Sequence, residues 1–292
     1  MNSTIDDAAN RLSQPGEAVA IAKGDGTFLR ADNQVLPLYS ITKTYIAATL
    51  FTLDIDIEAP VSDWIDRALL DRGDRISVRQ LLNHTSGLGD YGGLVEYTRA
   101  IQSGEPVWSD ETFATHTLQR DLLFQPGRGW SYSNPGYWLL RQICQRHSGL
   151  DFATLIDRQV CRPLGLQHTR AVSGIFADDL PDYPAGWVWH GLLLGTPADT
   201  VKFLDSPLIS PLLAEPVAVP GRQPGWTAPH YGYGLMIEPG VRYGHNGGGP
   251  GYSASCNHFI RSDRTLCVLT SAGDPEAAMY RLLTLERELA SN

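Results

Sequence analysis

Three short groups of residues, far apart in the chain, carry side chains that can make and break bonds. They are Ser40-Ile41-Thr42-Lys43, Tyr132-Ser133-Asn134 and His245-Asn246-Gly247-Gly248-Gly249. A serine three residues before a lysine can pair a nucleophile with a base, because positions i and i+3 share a helix face. From Ile41 to Leu53 the chain has no Gly or Pro and is apolar or Thr almost throughout, which reads as a buried helix. Two readings of Ser40 stand side by side: a helix cap, where serine is favoured, and a nucleophile. Lys43 favours the second. The chain has three lysines, Lys23, Lys43 and Lys202, and Lys43 lies in its most apolar helix, where burial lowers the amine pKa and makes it a base. Of all the serines, Ser40 alone has lysine three residues on.

Acyl transfer also needs a proton donor for the leaving group and an oxyanion hole. Tyr132 and Asn134 sit in a turn flanked by Gly129, Pro135 and Gly136. A tyrosine beside a lysine cation is expected to have a lowered pKa and to trade protons near neutrality. Asn134 offers a donor and an acceptor, for a substrate amide or for Lys43. The plain alternative is an ordinary turn. The third group has three alternatives: a flexible loop, a phosphate cradle or a metal-binding His245. Strands rather than a helix follow it, against a phosphate cradle. No His-x-His or His-Glu-x-x-His occurs, against a metal. Glycine at an edge strand lets a ligand approach the backbone, so the N–H groups of Gly248 and Ser40 are expected to form the oxyanion hole.

The elements that must position these groups follow from the pattern. Ser3–Leu12 is expected to be a first helix. Strands Ala18–Lys23 and Phe28–Ala31 flank the Gly24-Asp25-Gly26 hairpin signal. The acidic stretch Asp54-Ile55-Asp56-Ile57-Glu58 matches no Ca²⁺ loop and reads as solvated surface. Helices are expected over Val78–Asn83, Trp108–Leu123, Tyr137–His147 and Phe152–Cys161, then an ordered loop over Leu180–Pro197. The Pro-rich stretch Pro207–Pro229 fits no element. Strands follow at Tyr233–Glu238, Val241–Gly244, Ser253–Ile260 and Thr265–Thr270, and Pro275–Ala290 is a closing helix. Strands at both ends with helices between imply an α/β (α+β) fold. Residues 1–53 and 228–292 would form a discontinuous antiparallel sheet domain with terminal helices, and 54–227 a mainly helical insertion.

The chain of 292 residues has 42% hydrophobic and 19% charged residues, ordinary for a globular protein. Its net charge of −9 argues against nucleic acid and anionic membranes as partners. The N-terminus, Met1-Asn2-Ser3-Thr4-Ile5-Asp6-Asp7, has no apolar core, so a cytoplasmic location is expected. Cys144, Cys161, Cys256 and Cys267 show no metal-type spacing and are expected to be free thiols.

The three groups, in this order, resemble the motifs of the penicillin-recognising serine hydrolases, and the Tyr-Ser-Asn version resembles the class C β-lactamase, D-peptidase and esterase branch. Further stretches are similar to that family: Gln80-Leu81-Leu82-Asn83-His84-Thr85-Ser86-Gly87-Leu88, Phe124-Gln125-Pro126-Gly127 and Cys161-Arg162-Pro163-Leu164-Gly165-Leu166. The resemblance spans roughly residues 15–290. It implies an antiparallel sheet with terminal helices, a helical domain and a site between them. It also implies that Ser40 is acylated, Lys43 activates it, Tyr132 shuttles the proton, Asn134 holds the acyl side chain and Ser40 and Gly248 N–H groups stabilise the oxyanion. The third motif begins with His245 where true β-lactamases usually have lysine, and histidine is a weaker, pH-dependent anchor for a carboxylate. The expectation is therefore a carboxylesterase or a D-amino-acid peptidase or amidase acting on a small-molecule ester or amide, with no metal or organic cofactor. Residual β-lactamase activity, an acyltransferase and a non-catalytic acyl-binding pseudoenzyme are the alternatives. Gly247, Gly248, Gly249 and Gly251 would leave the site open, and Tyr91, Trp130, Trp187 and Trp189 would form an apolar rim.

Overall fold

The structure is a computed structural model that describes residues 14–172, 183–271 and 273–291; the helix expected over Ser3–Leu12 lies outside them. The strands are β1 (Glu17–Lys23), β2 (Phe28–Ala31), β3 (Leu36–Pro37), β4 (Arg170–Ala171), β5 (Leu193–Gly195), β6 (Val217–Ala218), β7 (His230–Tyr231), β8 (Met236–Glu238), β9 (Arg242–Gly249), β10 (Tyr252–Phe259) and β11 (Arg264–Thr270). The helices are α1 (Thr42–Thr52), α2 (Val78–Leu82), α3 (Val95–Gln102), α4 (Asp110–His116), α5 (Asn134–Ser148), α6 (Phe152–Ile156), α7 (Arg162–Leu164), α8 (Pro197–Leu204) and α9 (Ala277–Ala290).

Eight strands form one antiparallel sheet in the order β2-β1-β11-β10-β9-β8-β7-β6. The β1–β2 hairpin closes as expected, with Lys23 N–H donating to Thr27 O at 2.9 Å. Strand β1 pairs on its other side with β11, from Glu17↔Thr270 to Lys23↔Arg264, so the two ends of the described chain meet in the sheet. Period-2 alternation gives the sheet two apolar faces. Val19, Ile21, Leu266 and Val268 pack under α9, against Ala278, Leu282 and Leu285. Ala18, Ala20, Cys256, Cys267 and Leu269 join the core that contains Tyr45 and Ile46 of α1. Helix α1 is buried from Thr42 to Leu50, and Tyr45 stacks on Phe203 of α8 with centroids 3.7 Å apart. Each large side chain buried this way contributes about 1.5–3 kcal/mol.

Several elements depart from expectation. Helix α4 covers only Asp110–His116 of the Trp108–Leu123 span. It starts at the Ser109 cap, and it ends where Thr117 leaves helical angles and its hydroxyl donates to Phe113 O at 2.7 Å. The Leu180–Pro197 stretch contains β5, which joins β3 and β4 in a small second sheet. The unplaced Pro207–Pro229 stretch forms a 3₁₀ turn, Pro207–Leu213, and the outer strand β6. The glycine-rich group does not follow the strand at Val241–Gly244 as a loop; β9 runs through it to Gly249, and β9 lies inside the sheet rather than at its edge.

Candidate active site

Ser40 lies inside a 3₁₀ turn, Tyr39–Ile41, that runs straight into α1, and the N-cap positions of the two elements are Leu38 and Ile41 rather than Ser40. The turn is strained. Tyr39 has φ +42°, a left-handed conformation that costs a bulky residue on the order of 1–3 kcal/mol. Two contacts hold it: the Tyr39 hydroxyl donates to Pro250 O at 2.9 Å, and Gly249 leaves room for the ring, since a Cβ there would come within 2.2 Å of it.

The Ser40 hydroxyl is instead 3.0 Å from Lys43 Nζ. Lys43 is fully buried. Burial holds its amine well below the ordinary lysine value, opposed in part by the Asp90 carboxylate. A second buried base touches the amine: the ring nitrogens of His190 lie 3.3 and 3.4 Å from Nζ, and His190 Nε2 is 3.4 Å from Tyr39 O. His190 was not marked by any motif, because it sits 147 positions from Lys43 in a Trp- and Gly-rich stretch without periodicity.

Tyr132 stands beside Ser40 in the pocket lining, and Lys43 Nζ lies 5.0 Å from its ring centroid. Its phenol is raised above the usual value, not lowered as expected. Burial dominates, and the neighbouring Ser40 hydroxyl opposes it only in part. The expectation assumed a lysine cation, whereas the buried amine favours its neutral form and supplies no such charge.

The turn that carries Tyr132 is clamped by residues 84–90. His84 Nδ1 accepts from Ser133 N–H at 3.1 Å, and the His84 and Tyr132 rings lie 4.4 Å apart. Ser133 caps α5 by accepting from Gly136 N–H and donates to Gly89 O, both at 3.1 Å. Asp90 Oδ1 accepts from Asn134 N–H at 2.8 Å. Asn134 makes no side-chain bond to Lys43 here; its Oδ1 is buried without a partner. Helix α2, with a Ser77/Gln80 capping box, leads into this clamp.

Strand β9 closes the other side. Pairing with β8 ends at Met236↔Gly244, so the strand beyond, from His245 to Gly249, has an edge released toward the Ser40 turn. The approach is close: a Cβ on Gly247 would stand 2.2 Å from Leu38 O and 3.1 Å from Ser40 N. His245 is buried, faces Tyr231 with Nε2 3.0 Å from the hydroxyl, and is pushed down to about 3, chiefly by burial. It is therefore a neutral imidazole at physiological pH.

A pocket of about 360 Å³ is lined by Ser40, Tyr132, His245, Gly247 and Gly248, with walls from Trp130, Trp226, Met236 and Met279. Glu276 is the charged residue in its lining. A larger cavity, about 640 Å³, lies around Arg30, His168 and Lys202 and contains none of the three groups, so size alone does not identify the site. Of the expected rim, Trp130 lines the pocket. Tyr91, Trp187 and Trp189 are core instead: Tyr91 donates to Trp187 O at 2.7 Å, and Trp189 stacks on Phe113 at 3.9 Å. Trp226, Met236 and Met279 were missed, because their shared wall joins a loop, a strand and a helix. All four cysteines are buried free thiols. Among the described residues no cluster of three or more His, Cys, Asp or Glu side chains could hold a metal, and no helix is long and apolar enough to cross a membrane.

A family model described as Beta-lactamase matches residues 1–291. Penicillin-binding protein 4* of Bacillus subtilis is 26% identical over 280 residues, covering 82% of this chain and 61% of that protein. A D-aminopeptidase of Brucella anthropi is 31% identical over 172 residues, covering 52% of this chain and 32% of that protein. The chain thus spans less than two thirds of the first relative's length and about a third of the second's. Among solved structures, the D-amino acid amidase of Ochrobactrum anthropi SV3 complexed with L-phenylalanine superposes with TM-score 0.78 at 20% identity, covering 100% of this chain and 99% of that one. The octameric penicillin-binding protein homologue of Pyrococcus abyssi gives 0.77 at 21% identity, covering 100% and 77%. At such identities the likeness is one of fold.

Proposed function

The chain belongs to the beta-lactamase family, and from that premise we propose that it is a serine hydrolase cleaving small amides or esters through an acyl-enzyme on Ser40. The observation that carries the reading is the 3.0 Å contact between Ser40 Oγ and a fully buried Lys43. Burial favours the neutral amine, which is the form able to take a proton. Ser40 Oγ attacks the carbonyl carbon as its proton passes to Lys43 Nζ. The N–H groups of Ser40 and Gly248 receive the oxyanion; losing one such donor typically raises the barrier by about 3 kcal/mol. Tyr132, kept protonated by burial, gives its proton to the leaving nitrogen or oxygen and recovers one from the Lys43 ammonium. The C–N or C–O bond breaks and acyl-Ser40 remains. Water then attacks the acyl carbon as its proton passes to Lys43 Nζ, the bond to Ser40 Oγ breaks, that proton returns to the serine oxygen, and the acid is released.

The pocket supports a substrate class. Neutral His245 gives no cationic anchor for a carboxylate, while Glu276 places a negative charge in the lining. This combination favours small amino-bearing acyl groups, such as amino-acid amides and esters, over the carboxylate-bearing β-lactams. Asn134 does not line the pocket and its Oδ1 is buried, so it adds nothing to this preference. The names of the D-aminopeptidase relatives agree with that preference. The test is incubation with a fluorophosphonate, read by intact mass, followed by a panel of p-nitrophenyl esters, D-alanyl amides and a chromogenic cephalosporin. A Ser40 adduct that disappears in Ser40→Ala, with amides or esters turned over faster than the cephalosporin, is expected. Absence of an adduct on the wild type, or its persistence in Ser40→Ala, refutes the nucleophile.

A further inference from the structure

We propose that His190 is a positioning residue for the nucleophile–base pair: it aims the free lone pair of Lys43 at Ser40 and ties that aim to the Tyr39–Ile41 turn. The inference rests on the reading of Ser40 and Lys43 given above. His190 is brought to the site by the small sheet. Strand β3 pairs with β5 as Leu36↔Gly195 and Pro37↔Leu194, Leu38 N–H donates to Leu193 O at 2.9 Å, and Leu193 N–H donates to Thr42 Oγ1 at 3.1 Å. The two segments that flank this pairing carry Ser40 and His190, so they are held as one unit.

The hydrogen-bond logic follows from valence. His190 Nε2 faces Tyr39 O, and a carbonyl can only accept, so Nε2 carries the proton and Nδ1 is left as an acceptor. Lys43 Nζ stands 3.4 Å from Nδ1 and 3.3 Å from Nε2, and with the Nε2 proton directed to Tyr39 O, Nδ1 is the ring atom able to accept from the amine. A neutral amine has two N–H bonds and one lone pair. With one N–H committed to His190, the lone pair is available to the Ser40 hydroxyl 3.0 Å away. The same acceptor stabilises the ammonium that forms once the Ser40 proton has moved. The other titratable or charged groups around the pair are Asp90, His84, Tyr132, Tyr137, His245 and Arg141. Among them Asp90 favours the Lys43 cation, and Arg141 opposes a charge on His190. Desolvation keeps His190 neutral, as this role needs.

The experiment is the rate of Ser40 labelling by a fluorophosphonate as a function of pH, for the wild type, His190→Leu and His190→Asn, alongside thermal unfolding of each. Labelling reads the nucleophile directly and needs no knowledge of the natural substrate. His190→Leu is expected to slow labelling about tenfold to a hundredfold, the scale of a misaligned reacting pair. It should also move the acid limb of the profile to lower pH, because the Lys43 ammonium loses its acceptor. His190→Asn, whose amide oxygen can accept from Nζ, should restore part of both. A wild-type rate and limb in His190→Leu overturn the proposal. So does a slowing with an unmoved limb that His190→Asn does not relieve, which is the signature of packing alone. If His190→Leu fails to fold, an unmoved limb in His190→Asn overturns the proposal and a displaced one supports it. Failure of wild-type Ser40 to label at any pH is a different result, and refutes the underlying nucleophile.

Discussion

Replacing Lys43 with methionine removes a fully buried amine while keeping most of the side-chain volume. An unfolded lysine titrates near ~10.4, whereas desolvation puts the folded amine well below that. Between the two values the unfolded chain binds one more proton than the native state. Wild-type stability therefore rises with pH, by about 1.4 kcal/mol per unit for this single group, until the unfolded amine itself loses its proton. The methionine variant has no such dependence. It also leaves His190 Nδ1 without a donor, a cost of about 1–3 kcal/mol that does not follow Lys43 titration. The stability of the variant relative to the wild type should then fall by about 1.4 kcal/mol per unit as pH rises from the lowered titration of the folded amine toward that of the free one. Other titrating groups cancel in the difference. Urea unfolding at several pH values, followed by fluorescence of the seven tryptophans, measures it. A difference that stays flat, or grows with pH, would falsify the assignment of Lys43 as a neutral buried amine. Loss of the base should also slow acylation by roughly a hundredfold or more.

Three further outcomes are expected. Tyr132→Phe removes the phenolic proton while keeping the ring against His84, so acylation by an amide should fall by about a hundredfold; esters with good leaving groups should suffer less, and equal losses on both would argue against proton donation. Gly247→Ala places a Cβ 2.2 Å from Leu38 O, which must push β9 or the Ser40 turn aside; kcat should drop about a hundredfold with a smaller change in melting temperature, and unchanged burst kinetics would show that the contact does not set the site. Ser77→Ala breaks the α2 capping box and should cost about 1 kcal/mol in unfolding free energy without altering the labelling rate of Ser40.

The legible parts were those with local causes. The β1–β2 hairpin, α1, α2 and the closing helix all follow from turn residues and periodicity within a few positions; the Ser77 cap of α2 emerged only in the structure. The Ser40–Lys43 contact was legible for the same reason, since i and i+3 meet on any helix. Trp108–Leu123 was overread because an apolar and Thr-rich window does not reveal where a helix stops; it stops where the backbone of Thr117 leaves helical angles. The Trp187 and Trp189 rim failed because an aromatic side chain carries no mark of whether its neighbours are solvent or other rings.

The chemical types are decided by the sequence alone: a serine with a lysine on its own face, a tyrosine and asparagine in a capped turn, and glycines where backbone must approach backbone. Their electrostatics are decided by tertiary structure. Tyr132 was expected to titrate low beside a cation, and it titrates high because packing desolvates the phenol and favours the neutral form of the neighbouring amine. His245 could have been a charged anchor and is instead neutral. His190 enters the site only because β3 and β5 pair across more than 150 positions. Proton affinity depends on the solvent and charges removed from a group, and those are set by which distant segments cover it.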